Sequence, residues 1–185
     1  MKKFESLKLE PTVACIVEGN AEEAIMNILL DHDCLIFDRK QLLEEDLLRC
    51  RKAKNFCSTY LNKTFHNKIT VLRILDDRRE TFKLPTAYKN KVSGIHNIIT
   101  APEIEILAII KEKALNDFKR VQHANHLKPS EYCKQNLRLS ELKTYDFVYG
   151  YFQVEELIDA INEYARMKKP GTLTLQDLLK GNLRK

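Results

Sequence analysis

Hydrophobic and polar positions along the chain alternate between short, wholly apolar runs and stretches of helical period. Pro11 precedes Val13-Ala14-Cys15-Ile16-Val17, apolar at every position and too short for a stable helix, so it predicts a buried strand. Glu18-Gly19-Asn20 turns the chain. From Ala21, apolar residues recur at Ala24, Ile25, Ile28 and Leu29, the spacing of an amphipathic helix, with Asn20 as its expected N-cap. Cys34-Leu35-Ile36-Phe37 predicts a second strand. A long helix is expected from Gln41 to Leu61, acidic at its start (Glu44, Glu45, Asp46) and basic later (Arg49, Arg51, Lys52, Lys54), as the helix dipole favours.

Ile69 to Leu75 is a β-branched run ending in Asp76-Asp77, the third strand. Residues 78–91 read as a loop, Ile95 to Ile99 as a fourth strand, and Ala101 to Phe118 as its helix. Strand–helix alternation of this kind implies a mainly parallel α/β sheet covered by helices. Beyond residue 118 the pattern is helical throughout: a short helix opening at Lys128-Pro129-Ser130, another at Tyr145–Phe152, an amphipathic one at Val154–Met167, and a last turn from Thr174. The expected organisation is an α/β core over residues 1–118 with a helical C-terminal extension, 119–185, packed on it.

Composition adds little to this picture. The chain has 185 residues, 44% hydrophobic and 31% charged, which suits one folded domain and argues against disorder. No apolar run is long enough to cross a bilayer and the first residues lead into no signal core, so a cytoplasmic protein with no membrane partner is expected. The five cysteines form no Cys-x-x-Cys pair and are expected as reduced, mostly buried thiols. His123 and His126 have no partner at zinc spacing. A formal charge of +5 permits a phosphate-bearing partner without requiring one.

In a parallel α/β sheet, functional side chains gather where strands end and helices begin. Acidic residues stand at three such places. Glu18 closes the first strand, Asp76 and Asp77 close the third, and Glu105 lies in the first turns after the fourth. Carboxylates meeting in one crevice repel each other unless a proton or cation sits between them. Oxygen-only ligands suit Mg²⁺, which keeps several waters and accepts one or two carboxylates plus substrate phosphates. Glu22, in the first turn of a helix, is equally well explained by the helix dipole. Glu23 and Glu103 stand three residues after Asn20 and Thr100 and read as capping-box acids. The helix around Glu105 is apolar almost all round, so a carboxylate there is expected to be buried, which favours a chemical role. Arg78, Arg79, Lys83, Lys89 and Lys91 make the loop basic, either as a solvated surface or as a hold on a nucleic-acid backbone. His96 and the aromatics Tyr145, Tyr149, Tyr151 and Phe152 read first as core.

A strand ending in Glu-Gly, then a helix, with an Asp pair closing a later strand, resembles the Toprim domain of topoisomerases, bacterial primases, recombination mediators and the overcoming-lysogenization-defect (OLD) nucleases. Ile16-Val17-Glu18-Gly19-Asn20-Ala21-Glu22 is similar to the Glu-Gly-x-x-Glu form of OLD-like and RloB-like members, and Ile99-Thr100-Ala101-Pro102-Glu103-Ile104-Glu105 to the RloB-like helix opening. The resemblance covers residues 12–115. It implies a nuclease dependent on Mg²⁺ or Mn²⁺ and acting on DNA or RNA, with Glu18 as general acid/base and Asp76 as a metal ligand. Asp77, Glu22 and Glu80 are candidates for the second ligand and Glu105 for a further one. The family's Asp-x-Asp is here Asp76-Asp77-Arg78, and neighbouring residues on a strand point to opposite faces. No P-loop is present, so an ATPase of the OLD type would be a separate partner protein. The same resemblance suggests phage defence by association. The alternatives are a non-catalytic Toprim-like module that binds nucleic acid or protein, and a nucleotide sensor on a plain α/β fold.

Overall fold

The computed structural model describes residues 7–76 and 81–185. Three strands, β1 (Thr12–Ile16), β2 (Ile69–Leu75) and β3 (Val92–Ile99), form a parallel sheet in the order β1-β2-β3. Cys15 stands beside Leu72, and Leu72 beside His96. The helices are α1 (Asn20–Asp31), α2 (Ala53–Tyr60), α3 (Ile106–Lys111), α4 (Leu115–Asn125), α5 (Pro129–Asn136), α6 (Tyr145–Tyr151) and α7 (Val154–Arg166).

The alternation of side chains along β1 and β2 divides the interior in two. Val13, Cys15 and Val17 of the first strand segment join Leu72 and Ile74 in a large core with α1, α3, α6 and α7. Ala14, Ile16, Ile69 and Val71 face the other way, onto Phe56, Cys57 and Leu61. Both strands are buried on both faces, as a parallel sheet requires. β3 lies at an edge and is only partly buried along its middle. α6 packs on α1 and α7 on α3, so the C-terminal helices bury their apolar faces in the same core as β1. α4 carries the chain through position 118 without a break.

β3 begins at Val92, three residues before the expected Ile95, and three other expected elements differ more. The strand at 34–37 reduces to a single antiparallel bridge between Leu35 and Leu179, flanked by Ile36 N–H donating to Leu178 and Lys180 N–H to Cys34. The long helix at 41–61 does not form. Glu44 and Glu45 adopt left-handed backbone (φ 62° and 57°), and Leu42 and Leu48 bridge β1 in parallel at Val13 and Ile16. Leu48 N–H donates to Cys15 O at 2.8 Å and Val17 N–H to Leu48 O at 2.9 Å. The free edge of β1 thus draws in the leucines that helical periodicity assigned to a helix, and only α2 remains of it. The helix at 101–118 begins at Ile106 and is interrupted at Lys113 (φ 56°), where α3 gives way to α4.

All five cysteines are free thiols, and four of them are buried. No helix among the described residues is long and apolar enough to cross a membrane.

Candidate acidic cleft at the carboxyl edge of the sheet

Parallel strands end together, so the residues following β1 and β2 meet at one edge. Glu18 Oε2 accepts from the Asp76 N–H at 3.4 Å, tying the two strand ends together across 58 positions of sequence. Gly19 caps α1 with its carbonyl, which accepts from Glu23 N–H, and the first turn brings Glu22 to the same edge. Glu105 arrives from the turn before α3. These groups line a cleft of 310 Å³ together with Glu103, Arg51 and Lys143.

Five carboxylates face two cationic side chains there. Arg51 lies 3.0 Å from Glu18 Oε1, whose side chain is 13% exposed. Burial pushes the Glu22 carboxyl above the usual range, and the neighbouring Asp76 charge adds to it against the pull of its own helix-start N–H. Glu105 is 8% exposed, and burial raises its carboxyl to about 7. The charges of Glu103 and Glu22 push it the same way, while Lys143 opposes them. The cleft therefore holds excess negative charge that favours a proton or a cation.

The donor set is all oxygen and fits a hard cation that retains most of its water. Among the described residues no three His, Cys, Asp or Glu side chains stand close enough to form a ready ligand cage. A Mg²⁺ or Mn²⁺ ion here would have to be held by the carboxylates of this cleft, which would supply it with oxygen ligands.

Of the residues expected at a site, Glu18, Glu22, Asp76 and Glu105 share the cleft. Asp77, Arg78, Arg79 and Glu80 lie outside the described residues. The remaining basic-loop residues are not brought to the cleft. Lys83 is exposed between Phe82 and Leu84, which pack on the second core. Lys89 and Lys91 belong to a 3-10 turn leading into β3, at the opposite end of the strands from the cleft. Lys91 Nζ donates to the carbonyls of Leu61 and Lys63 at 2.6 and 2.8 Å, a clasp on the turn after α2.

The two capping assignments are also corrected. Asn20 is the first helical residue, not the cap, and both it and Glu23 accept from Arg49. Glu103 accepts from Ser130 N–H at 2.9 Å, while the Thr100 hydroxyl donates to Leu75 O. Glu23 thus pairs with Arg49 instead of capping, and Glu103 holds the start of α5 while lining the cleft. Arg51 and Lys143 had no signal as site residues: Arg51 belonged to a helix that does not form, and Lys143 sits 38 positions beyond Glu105. Tyr145 and Tyr149 stack at 5.7 Å and hydrogen-bond to Asn27 and Asp31 of α1, which is packing rather than a base platform.

Fold and cleft define an α/β protein with a parallel sheet and an acidic crevice at its carboxyl edge. No protein-family model matches the chain, and comparison with curated proteins and with solved structures finds no match.

Proposed function

We propose that the chain is a divalent-metal-dependent nuclease of Toprim-like type, hydrolysing phosphodiester bonds in DNA or RNA. The observation that carries this reading is the meeting of Glu18, Glu22, Asp76 and Glu105 in one cleft at the end of two parallel strands. Asp76, Glu22 and Glu105 are the candidates to hold Mg²⁺ or Mn²⁺, with Asp77 next to Asp76 in sequence. When bound, such an ion stabilises charge on a phosphoryl group and lowers the pKa of a water. Glu18, fixed by Asp76 N–H and Arg51, is oriented to accept a proton from the attacking water and return one to the leaving oxygen. Arg51, largely exposed at the cleft mouth, offers a cation to a non-bridging phosphate oxygen.

A cleavage screen on plasmid, single-stranded DNA and total RNA, with Mg²⁺, Mn²⁺ or EDTA, tests the reading. Cleavage by the parent that EDTA and Glu18→Gln each abolish is expected. Cleavage unaffected by both would remove the cleft from the chemistry. The second reading is a non-catalytic module that kept the fold. That module binds nucleic acid or protein, cuts nothing, and has a melting temperature indifferent to either metal.

A further inference from the structure

We infer that the substrate of the acidic cleft is a single nucleic-acid strand whose backbone leaves the cleft past Lys143 and lies against Lys134 in the cavity next door. This rests on the nuclease reading and assigns the strand its path. A second cavity, of 280 Å³, adjoins the cleft and shares Glu105 and Lys143 with it as a common wall. Its far side carries Lys134, Ser130 and Ser140. Both lysines are exposed, and among the described residues neither ammonium is in an ion pair.

Charge decides the direction. The cleft has five carboxylates against two cationic side chains, so a bound metal and Arg51 answer one phosphate there and the flanking phosphates meet the excess negative charge. In the adjoining cavity the charge balance changes. Its carboxylates besides Glu105 reduce to Glu131, which accepts from the N–H of Lys128 at its own helix start. The start of α5 is itself already answered, because Ser130 N–H donates to Glu103. Among the residues lining this cavity, Lys134 and Lys143 are thus the groups with capacity for a phosphate, and the serine hydroxyls can donate beside them. Lys89 and Lys91 offer nothing comparable, since they stand at the other end of the strands and Lys91 is engaged with two carbonyls. Two small adjoining cavities with a shared wall suit a flexible single strand. A duplex, being a convex rod, would meet only their rims.

The test is fluorescence anisotropy with short labelled DNA and RNA single strands, the matching duplexes and a labelled mononucleotide. Ca²⁺ replaces Mg²⁺ to prevent turnover, and salt is varied. Removing one cation that neutralises a single-strand phosphate lowers the slope of log affinity against log salt by about 0.7. Lys134→Gln and Lys143→Gln are each expected to lower the parent's slope by that amount and to weaken binding severalfold, with melting temperatures unchanged. Lys134→Arg and Lys143→Arg should retain the slope, and single strands should bind more tightly than duplex or mononucleotide. If the parent binds strands but neither Gln variant alters the slope, or if Lys89→Gln alters it instead, the path is wrong while the nuclease reading stands. Tighter binding of duplex likewise overturns the single-strand assignment. A parent that binds none of the probes overturns both path and nuclease.

Discussion

The guanidinium of Arg51 stands 3.0 Å from Glu18 Oε1, so the acid that closes β1 is matched by a cation from the segment preceding α2. Arg51 is 68% exposed at its side chain, and such a pair adds little to stability. Its effect is on the charge of the cleft. A cation bound among these carboxylates is repelled by a fixed positive charge nearby. Arg51→Gln is therefore expected to bind Mn²⁺ several times more tightly than the parent in titration calorimetry and, on the nuclease reading, to cleave more slowly because glutamine offers the phosphate no charge. Weaker Mn²⁺ binding by the variant would show that Arg51 instead holds the carboxylates in place for the ion.

Gly19 offers a finer probe of Glu22. Its backbone is extended (φ −140°, ψ −177°), a conformation open to any residue, so no strain opposes a side chain there. A Cβ at position 19 would lie 3.0 Å from Glu22 Oε2 and would push that carboxylate aside. Gly19→Ala should fold with a melting temperature close to the parent's, and should bind Mg²⁺ more weakly if Glu22 is a ligand. Unchanged metal affinity in a well-folded Gly19→Ala protein would reduce Glu22 to an acid favoured by the helix dipole alone.

The sheet and the acids at its edge were legible because each depends on a local pattern. Ile69–Leu75 was read to the residue, the first strand to within one, and α7 nearly so, since continuous apolar runs and a clean 3.6 period leave few alternatives. Glu18, Asp76 and Glu105 followed from the rule that parallel strands end at one edge. What failed had tertiary causes. Leu42 and Leu48 carry helical spacing, yet the unpaired edge of β1 recruits them, with left-handed residues at 44 and 45 between. Glu103 has the spacing of a capping box with Thr100, but its partner is Ser130 in another helix. Arg51, Lys143 and the second cavity depend on chain segments brought together only by folding. Lys89 and Lys91 were expected beside the acids, but a loop joining parallel strands must travel from one edge of the sheet to the other, which puts its last residues at the far end from the cleft.

Glu105 carries a pH dependence of definite sign. Its carboxyl ionises near 4.5 in the unfolded chain and near 7 in the fold, chiefly because it is buried. Between those values the folded protein holds a proton that the unfolded chain has released, so stability falls as pH rises through this window. At roughly 1.4 kcal/mol per unit, the loss is on the order of 3 kcal/mol by pH 8. Glu105→Gln cannot lose that proton. In EDTA it should match the parent at pH 5 and exceed its melting temperature at pH 8. A parent no less stable at pH 8 than Glu105→Gln would place the Glu105 carboxylate in a more solvated position than the cleft gives it.

Asp76 decides whether the cleft is built around a cation. Its charge raises the Glu22 carboxyl, and its own N–H donates to Glu18, so its side chain adds negative charge where others already gather. Asp76→Asn removes one charge while keeping the shape and the backbone donor. In EDTA at neutral pH the variant should therefore be as stable as the parent or more so, since repulsion among the carboxylates is relieved. Millimolar Mg²⁺ or Mn²⁺ should raise the parent's melting temperature and narrow or reverse the difference, because a ligand stabilises only the protein that binds it. A structural Asp76 gives the opposite order: the variant loses stability in EDTA, and metal shifts neither protein. Parallel melting curves with and without metal separate the two, and a parent unmoved by either ion at millimolar concentration would favour the non-catalytic module over the nuclease.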